Sequence, residues 1–214
     1  MINIKNSQII NIDENLIGAV QKAKELFLNG SVFIYPTDTI YGFGANPFNN
    51  EAVSKIVSIK RRDEGKKFIL LIDSIETLLK YVELESEKHI DFLISIWPNP
   101  VSVVLKLNSK TSEIFNQDTA AFRIPNHNFC RKLTNELKMP LISTSVNISN
   151  QQPLIEHSVI SDIFSSEVDA IFYSDKKSFI QASTLIDLSG SNPVLLREGK
   201  IKFAELLDKF KMRI

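Results

Sequence analysis

Phe68 to Ile72 reads Phe-Ile-Leu-Leu-Ile, an apolar run with no polar alternation. A strand turns successive side chains to opposite faces, so such a run must be covered on both sides and belongs inside a sheet. Covering two faces takes helices, and the chain supplies them. From Asp13 to Asn29, Leu16, Val20, Ala23 and Phe27 recur at helical spacing, and Gly30 follows as a stop. Asn49 or Asn50 can cap a second helix carrying Ala52, Val53, Ile56 and Val57. Ser74 to Tyr81, Ser86 to Ile96, Asn126 to Leu137, Val159 to Phe164 and Phe203 to Phe210 also read as helices. Ser31 to Tyr35 is a strand ended by Pro36. Further strands are expected at Val101 to Leu107, Thr119 to Ile124, Leu141 to Thr144, Ala170 to Tyr173, Thr184 to Leu188 and Val194 to Leu196. Helices and strands mix without strict βαβ alternation, so the expected class is α/β of the α+β kind, a mixed sheet with flanking helices. The 214 residues hold no repeat or Pro/Gly/Ser-rich linker, so a single domain over residues 1–214 is the simplest division.

Several function classes drop out. Lys plus Arg and Asp plus Glu both total 25, so whole-surface binding to a polyanion is disfavoured, while a local basic patch is allowed. A lone cysteine, Cys130, excludes an intramolecular disulfide and any multi-cysteine metal site. It reads as a small core residue and fits a reducing compartment. Met1 to Asn11 lacks a basic segment followed by a long apolar run, and no apolar stretch approaches the roughly 18 residues of a membrane span. The expected location is cytoplasmic, with no membrane partner. Gly42-Phe43-Gly44 is the only Gly-x-Gly, and Pro47 stands where a dinucleotide fingerprint needs its third glycine. There is no Walker A loop, and His89, His127 and His157 are too dispersed for a zinc pair, reading as surface or capping residues.

Chemistry collects at element ends. Pro36-Thr37-Asp38-Thr39-Ile40-Tyr41-Gly42-Phe43-Gly44 reads as a loop of short polar side chains and flexible glycines. It either admits a small polar ligand close to backbone or satisfies its own turn. Lys60-Arg61-Arg62-Asp63-Glu64-Gly65-Lys66-Lys67 is a charge run of the kind that usually faces solvent. Lys60, however, continues the Val53, Ile56, Val57 stripe, and a lysine aimed inward at a helix end calls for an anion. Arg62 and Lys66 lie within reach of the same end. Arg123, closing an apolar strand, is either structurally paired or reads an anion from a pocket edge. Ser143-Thr144-Ser145-Val146-Asn147 offers hydroxyls and an amide after another strand, and Ser183-Thr184 with Arg197 offers a further set. Cations converging with hydroxyl donors suit a multiply charged ligand such as a nucleoside triphosphate.

Taken in order, these segments resemble the YrdC/Sua5 family of L-threonylcarbamoyladenylate synthases from about Asn11 to Lys209. The family loop Pro-Thr-x-Thr-x-Tyr-Gly-Leu-Gly is matched by Pro36 to Gly44, and Lys-x-Arg by Lys60 and Arg62. Trp97-Pro98-Asn99-Pro100 matches Trp-Pro-Gly-Pro, and Arg123-Ile124-Pro125 matches Arg-x-Pro. Ser145-Val146-Asn147 matches Ser-x-Asn, with Ser183 to Asp187 and Leu195 to Gly199 completing the series. The Lys-x-Arg and Ser-x-Asn signatures, described as lacking in the related YciO-type proteins, favour a working synthase.

The resemblance implies a twisted mixed sheet with a large, basic, concave cavity, in the short form without the extra C-terminal domain of the longer Sua5 type. It implies a nucleotidyltransferase that condenses L-threonine, bicarbonate or CO2, and ATP into threonylcarbamoyl-AMP and pyrophosphate. Mg2+ would arrive with ATP, and a separate transferase would pass the group to a tRNA adenosine. Thr37, Thr39, Arg123, Ser143 and Ser183 would meet threonine. Lys60, Arg62, Lys66, Thr119, Ser145, Asn147 and Arg197 would meet ATP, with Lys60 and Arg62 catalytic. On this reading Lys60→Ala removes activity and leaves the fold intact. Asp63, Asn99 and Asn150 depart from the family's proline and two glycines, and Asn150 suits a left-handed backbone. Two other readings use the same concavity: an RNA module that contacts tRNA directly, and a carbamoyl-adenylate domain of the hydrogenase-maturation kind.

Overall fold

The computed structural model describes residues 7–61, 67–176 and 181–212. Its strands are β1 (Gln8–Asn11), β2 (Phe33–Tyr35), β3 (Gly42–Gly44), β4 (Ile69–Leu71) and β5 (Val101–Lys106). They continue with β6 (Thr119–Arg123), β7 (Leu141–Ser145), β8 (Ala170–Tyr173), β9 (Thr184–Asp187) and β10 (Val194–Arg197). The helices are α1 (Leu16–Leu28), α2 (Asn50–Lys60), α3 (Ile75–Leu78) and α4 (Glu87–Ile96). After them come α5 (Ser109–Phe115), α6 (Asn128–Leu137), α7 (His157–Phe164) and α8 (Phe203–Lys211).

All the strands join one ten-stranded sheet in the order β1-β8-β2-β3-β7-β4-β6-β5-β9-β10. The pairs β1/β8, β8/β2, β4/β6 and β5/β9 are parallel and the rest antiparallel, so the sheet is mixed, as expected. The apolar run around β4 lies in its interior, between β7 and β6.

Register assigns the two faces. Ile142, Leu70, Phe122, Val103 and Ile186 align across β7, β4, β6, β5 and β9. With Phe43 they form one apolar layer against Ala52 and Ile56 of α2, Phe92 and Leu93 of α4, Phe164 of α7 and Phe210 of α8. Burying each such side chain contributes about 1.5–3 kcal/mol. The opposite face divides in two. Phe33 and Tyr35 of β2, Leu71, Leu141 and Phe172 lie under α1 and α6, which bring Ala23, Phe27, Phe129 and Leu133. Further along the same face no helix covers Ser143, Ile69, Arg123 and Leu185, which line a cavity instead.

Local signals account for most boundaries. Asn49 caps α2, its Oδ1 accepting from Ala52 N at 2.9 Å, and Arg61 closes the helix in the left-handed region at φ 47°. Asn150 adopts φ 67°, the conformation for which a glycine or asparagine is suited.

The structure departs from the sequence reading in several places. Gly42 to Gly44 is strand β3 rather than the end of a loop, because Phe43 packs edge-on against Phe164 with ring centroids 5.2 Å apart. The glycines there serve close approach, since a Cβ at Gly44 would lie 2.7 Å from both the Phe33 and Tyr35 rings. Strand β1 and helix α5 went unforeseen: β1 shows no buried alternation, and within α5 only Thr111 is buried, so neither carries a periodic apolar stripe. His89 is no surface or capping residue; it is buried on α4 beside the Phe210 ring.

Candidate functional site

The uncovered half of the second face forms a cavity of about 280 Å³. Strand alternation places small or polar side chains there: Gly42, Ser143, Ser145, Ser183, Arg123 and Arg197. Thr39 and Lys67 add a hydroxyl and a third cation from the edges, and Pro153 closes one side. Among the described residues no carboxylate lines this cavity, and no cluster of His, Cys, Asp and Glu suited to a metal occurs. The chamber therefore presents positive charge and hydroxyls to its contents.

Arg123 closes β6 and is only 3% exposed. Its Nη1 donates to Thr39 Oγ1 at 3.1 Å, and Nη2 lies 3.5 Å from Asp38 Oδ1. Arg197, closing β10, donates from Nη2 to the Ser183 carbonyl at 3.0 Å. Burial first, and then the charge of Arg123, pull the Arg197 guanidinium below its ordinary pKa. Both guanidiniums line the same cavity, an arrangement that an anionic ligand would favour. Ser183 Oγ is shared with Ser102 Oγ at 2.9 Å, so the hydroxyl is held in place from β5.

The loop between β2 and β3 is wound around Thr37. Its Oγ1 donates to Ile40 O at 2.7 Å and accepts from Thr39 N at 3.0 Å. The loop thus satisfies its own backbone and also offers Thr39 to the cavity. Thr37 instead lines a second hollow, with Pro36, His127 and Asn128. Burial holds the His127 imidazole below its usual pKa.

Lys60 points inward as the stripe implied, at 2% exposure. Its Nζ reaches the carbonyl of Ser145, and Asn147 O and Oδ1 at 2.9 and 2.8 Å, while standing 5.5 Å from the Phe43 ring centroid. These bonds to neutral oxygens pin the turn after β7, and Lys60 is not among the residues that line the cavity. Ser145 Oγ donates to Asn147 Oδ1 at 2.6 Å, and Asn147 Nδ2 to Gln151 O at 2.7 Å, completing the brace. The Lys-x-Arg lysine and the Ser-x-Asn asparagine, far apart in sequence, are in direct contact. Removing Lys60 would strip charge-assisted bonds from buried carbonyls, so the expectation of an undisturbed fold in Lys60→Ala is withdrawn.

Of the other sequence candidates, Thr119 opens β6 and its Oγ1 accepts from Lys67 Nζ. Arg62 and Lys66 lie outside the described residues. Lys67 was missed as a site residue, although its place immediately before the interior strand was a usable signal: a cation there must turn toward the strand's open end. Asp38 was also missed, hidden between two threonines.

A mixed sheet with one sealed face and a cation- and hydroxyl-lined hollow on the other defines an α/β domain. The family model Sua5_yciO_yrdC, described as "Telomere recombination", matches residues 25–199, and the chain belongs to this family. Among solved structures it is similar to P. abyssi Sua5 complexed with L-threonine, at TM-score 0.84 and 28% identity over 95% of this chain. The H234A/Y235A form of P. abyssi Sua5 gives TM-score 0.84 and 28% identity over 94% of this chain. The match covers 61% and 62% of those two longer chains. E. coli YciO shares the fold at TM-score 0.82 and 23% identity, over 94% of this chain and 99% of its own. Among the described residues, no helix is long and apolar enough to cross a membrane.

Proposed function

We propose that the chain is an L-threonylcarbamoyladenylate synthase acting in tRNA modification in the cytoplasm. The observation that carries this reading is the convergence of Arg123 and Arg197 on a hydroxyl-lined cavity free of carboxylates among the described residues. The likeness to a Sua5 complexed with L-threonine supports the choice of amino acid. Arg123 would take the threonine carboxylate, with Thr39, Ser143 and Ser183 around it. Thr37, turned toward the second hollow, would shape the loop that carries Thr39. Arg197, Ser145, Thr119 and Lys67 would face the nucleotide; Lys60 and Asn147 would hold the wall behind Ser145. Arg62 and Lys66 keep the nucleotide role that the resemblance assigns them.

The reaction needs no protein nucleophile. The threonine amine attacks the carbon of CO2 derived from bicarbonate and loses a proton to water. A carbamate oxygen then attacks the α-phosphorus of ATP. The bond from that phosphorus to the β-phosphate bridging oxygen breaks, and pyrophosphate leaves with the electron pair. Fixed cations oppose the charge that develops on the phosphates, and the cavity supplies orientation. Mg2+ carried by ATP would add positive charge against the phosphates beside Arg197 and Lys67. The threonylcarbamoyl group passes to tRNA through a separate transferase.

Pyrophosphate release from ATP and bicarbonate should require L-threonine, with little from serine or without an amino acid. Release independent of threonine would point to another adenylation substrate. Absence of release together with salt-sensitive tRNA binding would favour a recognition module.

A further inference from the structure

We infer that Asp38 is the positioning residue for Arg123, holding its guanidinium oriented and incompletely paired so that a carboxylate ligand completes it. Asp38 is 4% exposed, and the two oxygens of its carboxylate do different work. Oδ2 accepts from Asn126 N at 3.0 Å, anchoring the backbone three residues beyond Arg123. Oδ1 lies 3.5 Å from Arg123 Nη2, too far for the hydrogen bond a closed carboxylate–guanidinium fork makes at about 2.7–2.9 Å. Asp38 Oδ1 and Arg123 Nε are both buried, and neither has a hydrogen-bond partner. Such orphans are rare in folded proteins and call for a reason.

The geometry supplies one. Asn126 N holds one Asp38 oxygen, so the carboxylate does not face Arg123 with both, and Thr39 Oγ1 takes Nη1 from the side. The guanidinium is thus fixed by two contacts and short of acceptors. A ligand carboxylate entering the cavity meets a guanidinium already oriented and supplies acceptors that Asp38 and Thr39 leave unfilled. Asp38 itself is not on the cavity wall, and Oδ1 is inaccessible, so it acts through Arg123 and touches no substrate. It also supplies the countercharge that lets Arg123 stand near Arg197. Threonine as the occupant rests on the proposed function; the positioning of Arg123 does not.

Two measurements separate these claims. In the 15N NMR spectrum of the wild-type protein, Arg123, assigned by loss of its signals in Arg123→Lys, should show restricted rotation about Nε–Cζ. Freely averaged Nη signals there would overturn the inference without any variant at Asp38. Asp38→Asn keeps an acceptor for Asn126 N but removes the charge, and should release that rotation. In the enzyme assay it should raise the threonine KM roughly tenfold, the scale of one charge-assisted hydrogen bond, and leave the ATP KM nearly unchanged. In an Arg123→Lys background the same change should add nothing. Fully additive effects, or equal losses for both substrates, would show that Asp38 does not act through Arg123. A wild-type enzyme indifferent to threonine would end the proposed function, and the NMR result would still decide the positioning.

Discussion

Strands β7, β4 and β6 carry two different molecules on their two faces. On one side Ile142, Leu70 and Phe122 align in a sealed apolar layer. One residue along, Ser143, Ile69 and Arg123 line the open cavity. Packing and ligand chemistry are thus interleaved along each strand, and a shift of one position exchanges them. The same contrast divides the two buried cations. Lys60 donates to carbonyl oxygens and braces a turn, while Arg123 is held by an aspartate and a threonine that leave its Nε without an acceptor among the described residues. Burial alone does not distinguish these two cations; their hydrogen-bond partners do.

The comparison can be broken most forcefully on the sealed face. Phe122→Ala should cost about 3–5 kcal/mol in denaturant unfolding, by removing a ring from the apolar layer. Protein that stays folded should keep its threonine affinity. A large change in affinity with little loss of stability would mean the faces are not separate.

Lys60→Ala should come next and show both effects, losing roughly 3 kcal/mol of stability as well as activity, because it deprives buried carbonyls of a charged donor. Loss of activity at unchanged stability would place Lys60 against the substrate instead. The neighbouring glycines sharpen the contrast within one face. Gly44→Ala meets the Phe33 and Tyr35 rings at 2.7 Å and should cost about 1–3 kcal/mol. Gly42→Ala meets the Ser143 hydroxyl at 3.0 Å, which can rotate, and the Thr144 backbone at an ordinary contact distance of 3.6 Å. It should change stability by less than about 1 kcal/mol while narrowing the cavity and raising the threonine KM several-fold.

The smallest expected effect is on pH. Burial depresses the folded pKa of His127, so as pH falls past about 6.5 the unfolded chain takes up this proton first. That contribution to stability is lost as pH falls through this window toward the folded pKa, and His127→Gln should flatten the slope. An unchanged slope in thermal melts across this range would remove His127 as its source.

Much of this was legible beforehand. The apolar run at Phe68–Ile72 required an interior strand and a layer on each side, and Lys60 followed from helical phase. Family-like motifs gathered the hydroxyls and arginines that register then brought onto one face. What stayed hidden depended on partners far along the chain. Gly42-Phe43-Gly44 looks like a loop until Phe164 and β2 provide the contacts that make it a strand. The anchoring of Arg123 by Asp38, across a sequence gap that no periodicity spans, appears only when β2 and β6 are placed in the sheet. That Lys60 meets the carbonyls of Ser145 and Asn147 likewise depends on where the turn after β7 lies.

The central claim is that the open face is a carboxylate-reading site built on Arg123. Calorimetric titration with L-threonine and with its methyl ester, on the wild-type protein and Arg123→Ala, tests it most directly. The account predicts saturable binding of L-threonine to the wild type alone, with the ester and the variant both failing. Equal binding of L-threonine by Arg123→Ala at preserved stability would contradict it.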